Sequence, residues 1–291
     1  MGFDAKDYLN ERKKVVNSAL LEYLPPDKPQ TKLLESVIYS IYPGGKRLRP
    51  VLCLAASELV CGNHDGALPL ACAIEMVHTY SMIHDDLPSM DDDDTRRSVP
   101  TNHRVFGEAV ATLAGDALLT DAFSLLAKKL PQNRVSSELA LRAVSLLADA
   151  AGSKGMVLGQ AFDLEMNLSL PSEEEVLNTY LLKTAKMITA SVVGGATVAG
   201  AREDELRSLQ FYSEKIGVAF QIKDDLLDSH NAADKGGENA QKHTYPSLLG
   251  INAAREKVFE LTDQAIKNLA VFEKNPNPLK EIALWLSERD E

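Results

Sequence analysis

The sequence predicts an all-α protein, and three observations carry that reading. Apolar residues recur at helical spacing along nearly the whole chain, Pro and Gly stops fall between those stretches, and no run alternates apolar and polar as a half-buried strand does. Residues 6–24 form an amphipathic stretch that stops at Pro25-Pro26, and residues 31–42 form a second, stopped by Pro43-Gly44-Gly45. Residues 49–62 and 67–86 are rich in Ala, Leu, Val, Ile and Met, and 107–130 continue in that style up to Pro131. Further helices are predicted at 136–151, 153–168, 173–200, 203–229, 246–273 and 278–289. Some, such as Met187 to Ala201, are apolar over more than one face, which places them inside a bundle. No Gly/Ser linker, low-complexity segment, tandem repeat or composition shift divides the chain, so residues 1–291 are expected to form one domain.

Bulk composition narrows the function. Hydrophobic residues make up 45% and charged residues 25%, ordinary for a soluble globular protein. The formal net charge of −11 argues against a nucleic-acid surface, because the phosphate attraction that dominates such binding is missing. It does not exclude anionic small substrates where metal ions and local Lys/Arg intervene. The three cysteines, Cys53, Cys61 and Cys72, lack zinc-type spacing and fit a reducing, cytoplasmic setting better than a disulfide framework. No run approaches the roughly 20 apolar residues that span a bilayer, and the polar N-terminus lacks a signal-peptide core, so no stable membrane insertion is expected.

Two aspartate-rich segments stand out against this apolar background: His84-Asp85-Asp86-Leu87-Pro88-Ser89-Met90-Asp91-Asp92-Asp93-Asp94 and Gln221-Ile222-Lys223-Asp224-Asp225-Leu226-Leu227-Asp228. Clustered carboxylates beside hydrophobic sequence are costly unless cations neutralise them. Hard divalent cations prefer oxygen ligands of this kind and usually also hold substrate phosphates. The pair therefore suggests a metal-diphosphate site. In the second segment Gln221, Asp224, Asp225 and Asp228 follow i, i+3, i+4, i+7 spacing and share one helix face. Taken alone, that stripe fits a solvated helix surface equally well. In the first segment Asp85 and Asp91 lie about 240° apart on an ideal helix, so they converge only if the helix deforms. Pro88 supplies the break. Upstream, Glu75, His78, Thr79, Met82, Asp85 and Asp86 form a polar stripe leading to the same place. An EF-hand fails because Asp92-x-Asp94-x-Arg96 is not followed by the required Gly and terminal Glu.

Cations accompany the acids. Arg96-Arg97 follow the first segment, Lys46, Arg47 and Arg49 sit in a Gly-rich turn before a helix, Lys183-Thr184 lie in a mainly apolar helix, and Lys235 and Lys242 fall in a polar loop after the second segment. Arg and Lys suit phosphate oxygens, Arg through a planar fork.

With these residues in view the chain closely resembles the trans (head-to-tail) polyprenyl diphosphate synthases, and within them the bacterial farnesyl diphosphate synthases. The matching pieces are GGKRLRP at 44–50, EMVHTYSMIHDDLPSMDDDDTRR at 75–97, PTNHRVFGEAVATLAGDALLTDAF at 100–123, GQAFDL at 159–164, KTA at 183–185, FQIKDDLLD at 220–228 and TYPSLLG at 244–250. The resemblance implies an isoprenoid-synthase-type bundle of about ten core helices around a deep central cavity, normally a homodimer. It implies three Mg²⁺ ions, or Mn²⁺ in their place, held by Asp85, Asp86 and Asp91 from the first motif and by Asp224, with Asp225 and Asp228, from the second. Arg96, Lys183, Thr184 and Gln221 correspond to contacts of the allylic diphosphate, with Lys235 and Lys242 as the candidates from the loop. Lys46, Arg49, His78 and Arg97 correspond to the isopentenyl diphosphate pocket.

The implied reaction condenses an allylic diphosphate, dimethylallyl or geranyl, with isopentenyl diphosphate. In this family the side chains five and four positions before the first Asp set the cavity floor, here Tyr80 and Ser81. The bulky Tyr80 and the Pro88-Ser89 insertion resemble the enzymes that make farnesyl diphosphate. A geranyl or geranylgeranyl synthase is the neighbouring alternative, and a non-catalytic regulatory subunit of a heteromeric synthase the alternative of a different class. A terpene cyclase disagrees with Asp224-Asp225-x-x-Asp228 at the second motif. Two departures stand out: Ser98 replaces the usual Gly after the paired Arg, and the stretch from Ser229 to Gly237 is shorter than the family's loop.

Overall fold

The structure, a computed structural model, describes residues 3–25, 31–42, 45–166, 169–235, 243–272 and 277–289. Helices dominate: α1 (Ala5–Tyr23), α2 (Lys32–Ile41), α3 (Leu48–Cys61), α4 (Leu68–Asp85), α5 (Asn102–Phe106), α6 (Glu108–Gln132), α7 (Ser137–Ala151), α8 (Met156–Met166), α9 (Glu173–Tyr180), α10 (Lys186–Val198), α11 (Glu203–Lys235), α12 (Tyr245–Leu249), α13 (Ile251–Asn268) and α14 (Pro278–Glu288). Many helix starts carry the residue that an N-terminus asks for. Asp4, Thr31, Ser136 and Asn277 accept backbone N–H bonds, while Ser172 with Glu175 and Thr244 with Ser247 form reciprocal capping boxes.

The core lies in three apolar clusters. Leu70, Ile74, Met76, Leu118 and Leu126 join α4 to α6. Leu52, Ile188, Leu209 and Leu279 join α3, α10, α11 and α14, and the buried Tyr212 hydroxyl donates to the Leu279 carbonyl at 2.6 Å. Val176, Ile222, Tyr245 and Val258 tie α11 to α9, α12 and α13. Each such side chain contributes about 1.5–3 kcal/mol by leaving water.

The predicted helix at 246–273 is divided by Gly250 at φ 89, which separates α12 from α13. α6 runs past the predicted stop to Gln132, because a proline in a last turn sacrifices only one hydrogen bond. α11 continues to Lys235, so the residues expected in a loop just after Asp228 are helical. Contrary to the strand-free expectation, β1 (Thr95–Arg96) and β2 (Val99–Pro100) pair antiparallel as a small hairpin. α6 is also long and apolar enough by length and composition to cross a membrane, against the expectation that no run approaches this. It packs Ala111, Ala114, Leu118 and Leu126 against the bundle and exposes Asp116 and Asp121.

Candidate active site

The two acidic segments open onto one cavity of about 1490 Å³, walled by the start of α3, the C-terminal half of α4, α8 and α11. At the first, α4 ends at Asp85 and the chain folds back. The Met90 N–H donates to the Leu87 carbonyl at 2.8 Å, and the Asp91 N–H donates to the Asp85 carbonyl at 2.9 Å. The deformation expected at Pro88 therefore brings Asp91 beside Asp85. Asp85 lines the cavity, and burial pushes its pKa up to about 6; Lys183 opposes the rise and Asp91 adds to it. Asp86 points away from the main cavity. It is buried and accepts from Arg96 Nε at 2.6 Å, while Arg96 also reaches Asp93 at 3.1 Å. Sequence reading assigned Asp86 to metal and Arg96 to diphosphate; the structure holds them to each other.

Arg96 and Arg97 owe their placement to the hairpin. Its two central residues, Arg97 and Ser98, sit at φ 54 and φ 66, the twist that a two-residue hairpin loop needs. Such positions favour Gly or Asn, so Ser98 carries backbone strain there.

On α11, Gln221, Asp224 and Asp228 line the cavity. Asp225 does not. It accepts from the Tyr180 hydroxyl and from Gln221 Nε2 at 3.1 Å, and burial pushes its pKa up to about 7 against those bonds. Tyr180 in turn accepts the Tyr245 backbone N–H at 2.9 Å, so one hydroxyl fastens the Tyr245-Pro246 segment to the acidic helix. Burial also raises the Asp224 pKa, with Arg289 opposing it. The Arg289 guanidinium donates to Asp224, lies 4.7 Å from the Phe220 ring centroid, and leaves Nε and Nη1 buried without a hydrogen-bond partner. Sequence reading missed both Tyr180 and Arg289; a short-range pattern carries no signal for partners 45 and 65 positions away.

Lys183 and Thr184 stand on a widened π turn, Leu181–Ala185, between α9 and α10. Gly159 and Gly217 make room for it: a Cβ at either would lie 2.2 Å from Lys183 N or 2.4 Å from Ala185 Cα. Lys183 Nζ pairs with Asp163 at 2.6 Å, and Thr184 Oγ1 donates to Gln221 Oε1 at 2.7 Å. This explains why the segments around 159–164, 183–185 and 220–228 belong together. Gln160 lines the same wall, and both its amide atoms are buried without a partner.

Lys46, Arg49, His78 and Arg97, the residues expected around isopentenyl diphosphate, also line the cavity. Arg47 differs from its neighbours. Its guanidinium is spent on Glu75 at 2.5 Å, Asn17 at 3.1 Å and the Ile41 carbonyl. Arg49 is half-buried, with its Nε buried and unpartnered. Burial, followed by the positive field of Arg49 and Arg97, drives the His78 pKa well below its ordinary value, so His78 is neutral. Further down, Tyr80 and Ser81 line the cavity together with Met156, Ala161 and Leu164. Lys235 ends α11, and Lys242 lies outside the described residues.

Residues 30–280 match the polyprenyl synthetase family. The chain belongs to that family. It is a prenyltransferase of the head-to-tail class, with the all-α fold of the isoprenoid synthases. This synthase is 40% identical to the farnesyl diphosphate synthase of Bacillus subtilis (strain 168), over 97% of either chain. It is 42% identical to the heterodimeric geranylgeranyl pyrophosphate synthase large subunit 1 of Arabidopsis thaliana, over 99% of this chain and 80% of that one. The apo structure of an FPP/GFPP synthase from Zymomonas mobilis superposes with a TM-score of 0.87 at 36% identity, covering 97% of this chain and 98% of the other.

The donor set of the synthase fits a hard cation shared with substrate. Among the described residues no three His, Cys, Asp or Glu groups close into a metal cluster. Asp85, Asp224 and Asp228 instead line the open cavity, with Arg289 bonded to one carboxylate oxygen of Asp224. Proteins usually bind Mg²⁺ through one or two carboxylates plus substrate phosphates rather than in an all-protein cage.

Proposed function

We propose that this prenyltransferase makes mainly farnesyl diphosphate, as a cytoplasmic homodimer without membrane insertion, and requires Mg²⁺, with Mn²⁺ as a substitute. The observation that carries the product assignment is the buried Tyr80 ring, which lines the cavity below the first acidic segment. Five residues of helix separate it from Asp85, about 7.5 Å of rise.

Asp85 and Asp91 on one side, and Asp224 and Asp228 on the other, would hold the metal ions. Asp225 steadies that second group through Tyr180 and Gln221. When bound, Mg²⁺ supplies Lewis-acid neutralisation of the diphosphate oxygens. Lys183 and Thr184 orient the allylic diphosphate beside Gln221, and Arg96 meets it from the hairpin. Lys46, Arg49, Arg97 and neutral His78 receive isopentenyl diphosphate. The allylic C–O bond then breaks and diphosphate departs with the electron pair. The double bond of isopentenyl diphosphate supplies the pair for the new C–C bond, and a proton lost to the departing diphosphate restores the alkene. No Ser, Cys or His nucleophile is required. The apolar wall of Met156, Ala161, Leu164 and Leu227 keeps water from the cation.

Chromatography of products made by the purified chain from dimethylallyl and isopentenyl diphosphates tests the reading. Predominantly C15 product supports it, and predominantly C20 product shows a geranylgeranyl synthase instead. Turnover by this chain alone separates an enzyme from a regulatory subunit, which would give none with any allylic primer. Light scattering at twice the 31.7 kDa chain mass would support the dimer.

A further inference from the structure

We propose that His84, braced between Gly115 of α6 and the Tyr80 ring, controls the depth of the prenyl cavity and so acts as a product-length determinant. The inference rests on the proposed prenyl transfer. His84 and Tyr80 both line the cavity and lie one turn apart on the same face of α4, with His84 nearer the acidic end. Their rings meet edge to face at 5.7 Å and 80°. On its far side the His84 ring is fastened to α6. Nε2 lies 3.0 Å from the Thr112 carbonyl, so Nε2–H is the donor.

The space behind the ring is full. A Cβ at Gly115 would sit 2.1 Å from His84 Nε2 and 2.5 Å from Cδ2, separations at which one of the two must move. Gly115 is itself buried in the α4–α6 contact, so the helix cannot simply yield. The absence of a side chain at 115 therefore lets the imidazole stand back from the cavity. The imidazole, leaning toward the N-terminal end of α4, supports the Tyr80 ring one turn below. Tyr80 is thus the floor and His84 the post that holds it. The four residues from Tyr80 to His84 rise ~6 Å, the scale of one isoprene unit, so a shift at this level changes how many units fit.

Two substitutions drive the device in opposite directions. Gly115→Ala places a methyl where the ring now lies and pushes the imidazole into the cavity above Tyr80. The product distribution shifts by one isoprene unit toward shorter chains, and the first condensation is retained. His84→Ala removes the brace, opens space at that level and frees Tyr80 to tip, so the distribution shifts toward longer chains. In the double variant the added methyl has no ring to displace, and the distribution matches that of His84→Ala alone.

The experiment compares radiolabelled product profiles of the wild type, both single variants and the double variant, with circular dichroism as the folding control. Opposite shifts, with the Gly115 effect abolished in the His84→Ala background, support the proposal. Unchanged profiles in a folded His84→Ala variant overturn it. A Gly115→Ala shift of the same size with and without His84 also overturns it, because the methyl then acts through helix packing. Absence of turnover by the wild type would instead overturn the proposed function.

Discussion

The two acidic segments each carry an adjacent pair of aspartates but are built in different ways. The second is the side of a regular helix: Gln221, Asp224 and Asp228 share one face of α11, and neighbouring side chains settle where each acid points. The first is the end of a helix. Asp85 and Asp91 meet only because α4 stops and the backbone returns to bond Asp91 N–H to the Asp85 carbonyl. In both, one acid of the adjacent pair lines the cavity, Asp224 with Arg289 beside it there, and the other is tied back from it, Asp86 to Arg96 and Asp225 to Tyr180. The contrast teaches that a pair of adjacent aspartates need not be two equivalent ligands: one works at the cavity while its neighbour holds the wall.

The largest predicted effect tests whether the two halves are equal partners. Asp85→Asn and Asp224→Asn should each lower kcat by on the order of 10²–10³-fold or more, because either removes neutralising power where charge develops on the leaving diphosphate. A steady-state assay at saturating Mg²⁺ reads this. A near-normal rate in either variant would reduce the site to one half.

The tied-back acids should matter less. Asp225→Asn and Tyr180→Phe each break the same contact, and each should cost roughly 10–100-fold in activity or metal affinity, the usual range for groups that orient a ligand. Made together, they should cost little more than either alone. Additive losses would mean that Tyr180 and Asp225 act separately.

A smaller effect concerns His78. Its folded pKa lies well below the ordinary value, so on acidification the unfolded chain takes up a proton that the folded chain does not. This portion of stability is present above the unfolded pKa of about 6.5 and is lost as pH falls, by up to about 1.4 kcal/mol per pH unit. Urea denaturation at pH 7, 6 and 5 should show a shallower decline for His78→Asn than for the wild type. Parallel declines would mean that His78 titrates normally in the fold.

The smallest effect sharpens the account of the hairpin. Ser98→Gly relieves a positive-φ residue and should raise stability by about 0.5–1 kcal/mol, read from the denaturation midpoint. A destabilised variant would show that the Ser98 side chain contributes more than its strain costs.

Much of this was legible in the sequence. Helical spacing placed the major helices, and the acid spacing placed the α11 stripe and demanded a break at Pro88. The Arg97-Ser98 turn escaped notice because it lacks the Asn-Gly signature of its conformation and its strands are two residues each. The division at Gly250 was hidden inside a continuous apolar pattern, since a lone Gly within such a run is compatible with helix. Arg47 and Arg49 look alike in sequence. Only the fold shows Arg47 spent on Glu75 and Asn17, with Arg49 beside the cavity. Tyr180, Asp163 and Arg289 were invisible as site residues because their meaning lies in partners far along the chain.

The central claim is that Asp85 and Asp224 form one metal-dependent diphosphate site across the cavity. Calorimetric titration with geranyl S-thiolodiphosphate, an analogue whose C–S bond resists ionisation, tests it most directly. The titration is run with Mg²⁺ and with chelator, on the wild type and on the two Asp→Asn variants. The account predicts tight binding by the wild type only with Mg²⁺, and a comparable loss in both variants. Binding of equal strength in chelator, or binding untouched by loss of either aspartate, would contradict it.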